Sequence, residues 1–204
     1  MPLTQVLFEG IIRLTIIFGR KKMSKKIFSL ILAIIIVLSL TACGSTDPNV
    51  PEGCVEISAE NIGYHFYKLE DWVTGEQNGM TSAMVSLIDN SNVSMMGFDA
   101  GEARSAEEYW TSFEEEFETV LGEITYEENG TDTTLGGKAA KKYIYTASVA
   151  GTTYKYMQIV CYLTNAQMFT SQPEVYVFTY TALPEKYDEH IEDVIYMADN
   201  IVFE

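Results

Sequence analysis

Few side chains in this sequence have the chemistry of a nucleophile, a base or a metal ligand. There are two histidines, His65 and His190, and three cysteines, Cys43, Cys54 and Cys161. A nucleophile needs a base within reach, and histidine is the usual one. His65 stands among aromatic residues (Tyr64-His65-Phe66-Tyr67), where packing in a strand is the expected role. His190 follows Glu189 on a helical pattern, where a solvated position is expected. No Gly-x-Ser-x-Gly, Gly-x-x-x-x-Gly-Lys or His-Glu-x-x-His motif occurs.

Cys54 and Cys161 have neither CxxC spacing nor a histidine close by, which speaks against thiol catalysis and structural zinc. The run Glu114-Glu115-Glu116 is a weak candidate for the paired carboxylates of a glycoside hydrolase, because a carboxyl gains a high pKa only by burial or beside a like charge. The turn Asp89-Asn90-Ser91-Asn92 offers oxygens for calcium but lacks the spacing and closing glutamate of an EF-hand loop. The expectation is therefore no catalytic residue, no metal, no cofactor and no enzymatic activity.

The remaining cysteine stands in a different setting. A basic Lys25-Lys26 pair, an apolar run from Ile27 to Leu40 and small residues before Cys43 make a tripartite export signal. The run is shorter than the roughly 20 apolar residues a membrane span needs. Leu40-Thr41-Ala42-Cys43 resembles the lipobox of bacterial lipoproteins. The resemblance implies fatty acylation of Cys43, cleavage before it, and a lipid anchor on the outer face of the cytoplasmic membrane. Residues 1–42 would then be the signal peptide, with 1–22 an upstream extension if translation starts at Met23. Residues 43–53, rich in Gly, Pro, Asn and Asp, read as a flexible tether, and 54–204 as one domain.

Arg13, Arg20, Lys21, Lys22, Lys25 and Lys26 precede Cys43, with Glu9 as the only acid there. The rest is thus more acidic than the net charge of −16 for the whole chain. Such a surface repels phosphate backbones, so nucleic acid is not an expected partner. Export would allow a Cys54–Cys161 disulfide, with burial of both as free thiols the alternative.

Two stretches must position whatever the domain binds. Ser105 to Leu121 reads as a helix, with Ser105 and Glu108 as a capping box and Gly122 as its stop. Tyr109, Trp110, Phe113, Phe117, Val120 and Leu121 fall on one face, and the acids late in the helix oppose its dipole. Lys138 to Val149 and Thr152 to Leu163 read as long strands joined at Ala150-Gly151. A two-residue loop there sets Tyr145 opposite Tyr156, Ala147 opposite Tyr154 and Ile144 opposite Met157. Tyr143, Tyr145, Tyr154, Tyr156 and Tyr162 then share one face, either as a partner- or ligand-binding surface or as core beneath a helix. Ile144, Met157, Ile159, Cys161 and Leu163 share the other. Both faces are apolar, so helices should cover the sheet on both sides.

Elsewhere, Gly63 to Leu69 alternates as a strand and Thr74 to Met80 reads as a loop. Ala83 to Ile88 and Val93 to Ala100 read as a hairpin, and Ile124 to Leu135 as two short strands about Asn129-Gly130. Thr164 to Pro173 is irregular, Glu174 to Leu183 is a central strand, and Pro184 opens a helix carrying Tyr187, Ile191, Val194, Ile195 and Ala198 inward. The order describes an α+β domain, a twisted antiparallel sheet flanked by helices.

Tyr64-His65-Phe66 leading to Leu69-Glu70-Asp71-Trp72, the turn Leu135-Gly136-Gly137-Lys138, and the ending Tyr187 to Phe203 resemble the PsbP-like domains of bacterial lipoproteins. Glu70 stands where that family often has proline. The resemblance implies an α-β-α sandwich and assembly or partner-binding work with an unknown protein partner. Capture of a small ligand on the aromatic strand face is the second expectation, and a hydrolase built on a buried acid pair or on His65 is the last.

Overall fold

The computed structural model describes residues 50–57, 63–77, 80–164 and 174–204. The signal segment, Cys43, most of the tether and residues 165–173 lie outside the described residues. In chain order the elements are β1 (Cys54–Glu56), β2 (Tyr64–His65), β3 (Tyr67–Leu69), β4 (Val73–Gln77), β5 (Met80–Met84), β6 (Asn92–Asp99), α1 (Ala106–Leu121), β7 (Thr125–Leu135), β8 (Lys138–Val149), β9 (Thr152–Leu163), β10 (Glu174–Ala182), a 3-10 turn (Tyr187–Glu189), α2 (Ile191–Asp199) and β11 (Val202–Phe203).

Seven strands form one antiparallel sheet in the order β4-β5-β6-β10-β9-β8-β7. The β8–β9 hairpin has the register that a two-residue loop dictates: Tyr145 faces Tyr156, Ala147 faces Tyr154 and Ile144 faces Met157. Ala150 and Gly151 both have positive φ, 53° and 84°, the backbone that matches a tight turn to the twist of its strands. β10 is central between β6 and β9, as its two apolar faces require.

Because side chains alternate along a strand, the sheet separates two cores. On one face Tyr143, Tyr145, Ala147 and Val160 pack under Tyr109 and Trp110 of α1. On the other, Ile159, Cys161, Tyr176, Phe178 and Tyr180 pack against Val194, Met197 and Ala198 of α2 and against Tyr64, Phe66 and Trp72. Among the described residues helices therefore cover both sides, α1 on one and α2 with the two-stranded pairs β1–β3 and β2–β11 on the other.

α1 begins as its sequence dictates: Ser105 Oγ accepts the Glu108 N–H at 3.1 Å, and Glu108 Oε2 accepts the Arg104 N–H at 2.8 Å. Its last turn holds no basic residue, so packing must offset the unfavourable dipole. Each buried aromatic there contributes roughly 1.5–3 kcal/mol.

Several local expectations are corrected. The segment from Thr74 is not a loop, because β4 and β5 pair as a hairpin from Val73↔Met84 to Gln77↔Met80. β5 ends at Met84, which leaves Leu87 and Ile88 exposed in the following loop. Gly63 to Leu69 is split, β2 pairing with β11 and β3 with β1. Asn129-Gly130 is no hairpin turn: β7 runs through it with irregularities at Tyr126/Glu128 and Asn129/Thr131, and Gly130 takes φ 75° to absorb the extra residue. The C-terminal helix starts at Ile191 after the 3-10 turn, and Met197 is buried in place of Ile195.

The proposed Cys54–Cys161 bridge is not formed, and both thiols are free and buried. The chain holds them in separate sheets, Cys54 opposite Leu69 in the β1–β3 pair and Cys161 between Ala140 and Tyr176 in the large one. Burial pushes the Cys161 thiol up to about 12. Lys68, read from sequence only as part of an alternating strand, is buried; its Nζ donates to Trp72 O at 2.7 Å and Leu69 O at 3.0 Å, pinning the turn into β4.

Candidate binding groove

The five tyrosines expected on one face do share it, but α1 divides their fates. Tyr143 and Tyr145 are buried, while Tyr154, Tyr156 and Tyr162 are half-buried. Trp110 stacks on Tyr143 with centroids 4.0 Å apart and planes 13° apart. Tyr145 stacks on Tyr156 at 5.1 Å, and Tyr156 meets Tyr154 at 6.3 Å. The Trp110 Nε1–H donates to Tyr126 Oη at 3.2 Å, and that hydroxyl donates to Glu114 Oε1 at 2.9 Å. Burial, helped by Glu107 and Glu114, pushes the Tyr143 phenol up to about 12. Tyr143 and Tyr145 are thus core beneath a helix and not an open surface.

The opening lies on the same face but further across the sheet, where β6, β10 and β9 extend past the cover of α1. A cavity of about 250 Å³ sits there, walled by Phe98, Tyr109, Phe113 and Phe117. Its floor joins a polar row set by register, Ser94 and Gln158 both flanking Thr179, to the apolar pair Met96 and Val177. Gln158 Oε1 accepts the Tyr145 hydroxyl at 2.8 Å, and its Nε2–H donates to Thr179 Oγ1 at 3.1 Å. Gln158 and Thr179 are thereby held in place by hydrogen bonds, while Phe98 at the mouth remains 38% exposed. Beside the mouth, a shallower depression near Phe113 carries the carboxylates of Asp99, Glu102 and Glu108. Sequence reasoning found the helix face and the tyrosine face but not this groove, whose β6 and β10 walls come from strands over 70 residues apart in sequence.

The histidines are each engaged. His65 Nδ1 lies 2.6 Å from Glu56 Oε1 and Nε2 lies 3.3 Å from Glu204 Oε1, with the ring stacked on Tyr67. His190, expected in solvent, is largely enclosed, its Nε2 3.1 Å from Asp89 Oδ2. That contact spans 101 residues, which periodicity cannot reveal.

No protein-family model matches the chain, and no curated relative does. Solved structures do. The cyanobacterial PsbP of Synechocystis superposes with a TM-score of 0.53 at 13% identity, over 81% of this chain and 99% of that one. The fold is PsbP-like. Other similar structures are LpqN of Mycobacterium tuberculosis, described as involved in cell envelope biogenesis (TM-score 0.54, 12% identity, 73% of this chain and 89% of that one), and a putative regulator of unknown function from Pseudomonas aeruginosa (TM-score 0.51, 13% identity, 74% and 97%). At these identities the likeness establishes the PsbP-like fold and no activity. Among the described residues no helix is long and apolar enough to cross a membrane.

Proposed function

We propose that this chain is a lipid-anchored, extracytoplasmic accessory domain that works by binding a partner polypeptide and not by catalysis. The observation that carries the reading is the groove between α1 and the sheet. At about 250 Å³ it exceeds the roughly 150 Å³ that holds a benzene ring, and it has aromatic walls, a floor with a hydrogen-bonded polar row and carboxylates beside its mouth. Aromatic anchors in such pockets supply much of the energy of protein interfaces. The acidic margin selects a segment that presents an aromatic or aliphatic residue next to lysine or arginine. The lipobox at Cys43 supports anchoring at the outer face of the cytoplasmic membrane, and the envelope role of LpqN supports such a setting.

A photo-cross-linking residue placed at Phe98 in intact cells tests this. One discrete adduct from Phe98, absent when the probe stands at exposed Thr131 on the far edge strand, is the expected result. Equal labelling from both positions, or none from either, rejects it. Capture of a small ligand is the second reading, favoured by the Ser94–Thr179–Gln158 row; it predicts a thermal shift with a small aromatic compound that is lost on Phe113→Ala.

A further inference from the structure

The loop between β5 and β6 meets the start of α2 through Asp89 and His190. Their side chains are 16% and 17% exposed, and Asp89 Oδ2 lies 3.1 Å from His190 Nε2. Glu189 brings a second carboxylate, so that one ligand atom from each of the three residues lies within 4.8 Å of the other two. Asp89 Oδ1 is already committed, accepting the Ser91 N–H at 3.0 Å, which leaves Oδ2 toward the imidazole. The ring of Trp72 meets the His190 ring edge-on at 6.1 Å and fixes its plane.

A separate feature points to an absent ligand. The Ser91 hydroxyl is 1% exposed and has no hydrogen-bond partner. It lies near both the Asp89 carboxylate and the Tyr180 hydroxyl but is aligned for a hydrogen bond to neither. Buried hydroxyls without a partner are rare, and an ion or a water held by one is a common reason for them.

We propose that Asp89, Glu189 and His190 form a site for a divalent transition cation of the zinc class, which pins the β5–β6 loop to the start of α2. One imidazole and two carboxylates make a mixed nitrogen and oxygen donor set, which suits Zn²⁺ better than the oxygen-seeking Ca²⁺ or Mg²⁺. Ligand atoms about 2.0–2.1 Å from a tetrahedral zinc stand about 3.3 Å apart. The Asp89–His190 separation is close to that already, the metal taking the place of the shared proton. Glu189, exposed and on a flexible side chain, closes the third side. Lys186, whose Nζ lies 2.7 Å from Glu189 Oε2, competes with the cation for this carboxylate. Three protein ligands leave a fourth position for water.

The test is calorimetric titration of the full chain, purified in detergent and stripped with chelator, with ZnCl2 and separately with CaCl2. The expected result is one tight zinc equivalent. Affinity falls at least tenfold in Asp89→Asn, Glu189→Gln and His190→Gln, and rises severalfold in Lys186→Met. It is unchanged in His65→Gln, which removes the other histidine–carboxylate cluster. Glu189→Gln changes an exposed side chain, so folding does not confound it. Zinc should also alter Trp72 emission, and His190→Gln should abolish that change. Absence of zinc binding overturns the proposal. So do preference for calcium, binding that survives Glu189→Gln and His190→Gln, or loss confined to His65→Gln.

Discussion

Truncating Trp110 to alanine separates the two ways α1 could be held on the sheet. The helix has no basic residue in its last turn and carries acids there, so its termini add little. Trp110 is 3% exposed, stacks on Tyr143 and donates to Tyr126. Emptying a buried tryptophan site costs about 3–5 kcal/mol. The ring stack accounts for about 0.5–1.5 kcal/mol of this. The Tyr126 hydroxyl keeps Glu114 and adds no orphan penalty. Against a usual total of about 5–15 kcal/mol, that is a large fraction. For a domain of this size it lowers Tm by roughly 10 °C. Urea unfolding followed by circular dichroism reads the loss directly, with an unchanged slope as the control for two-state behaviour. Trp110→Phe, which keeps an aromatic ring over Tyr143, should recover more than half of the loss. A loss in Trp110→Ala below about 1.5 kcal/mol would refute the reasoning, since α1 would then be held by something other than its aromatic stripe.

Gly136 has φ 53°, and a Cβ there would stand 2.2 Å from the Ile201 carbonyl oxygen. Gly136→Ala should therefore destabilise by about 2 kcal/mol or more, read by urea unfolding, through strain and a backbone clash that detaches the C-terminal segment. Thiol titration of the native protein should find Cys54 and Cys161 unreactive. The denatured chain should show two thiols in all if Cys43 is acylated and three if it is not. Burial raises the phenols of Tyr109 and Tyr143 to about 12. The folded state holds those protons longer than the unfolded state, so stability is full below about pH 10 and falls as pH rises to about 12. Denaturant midpoints across that range check the slope, and Tyr143→Phe should reduce it.

The β8–β9 hairpin was legible because a two-residue loop and a period of two leave only one register, and Ala150-Gly151 supplies the turn. α1 was legible because its cap, apolar stripe and stop agree. The central place of β10 followed from apolar residues on both of its faces. Asn129-Gly130 misled because a left-handed glycine serves a bulge as well as a turn, and only the neighbouring strand decides between them.

Local pattern and turn chemistry thus determined the α+β class, the long hairpin, the capped helix and the acidic surface, since each depends on residues a few positions apart. Tertiary structure alone decided that α1 closes over Tyr143 and Tyr145 and leaves the groove over β6 and β10. It also decided that Cys54 and Cys161 stay in different sheets, and that His190 meets Asp89. These are contacts between segments up to 101 residues apart, which arise from how layers pack and have no period for a sequence to display.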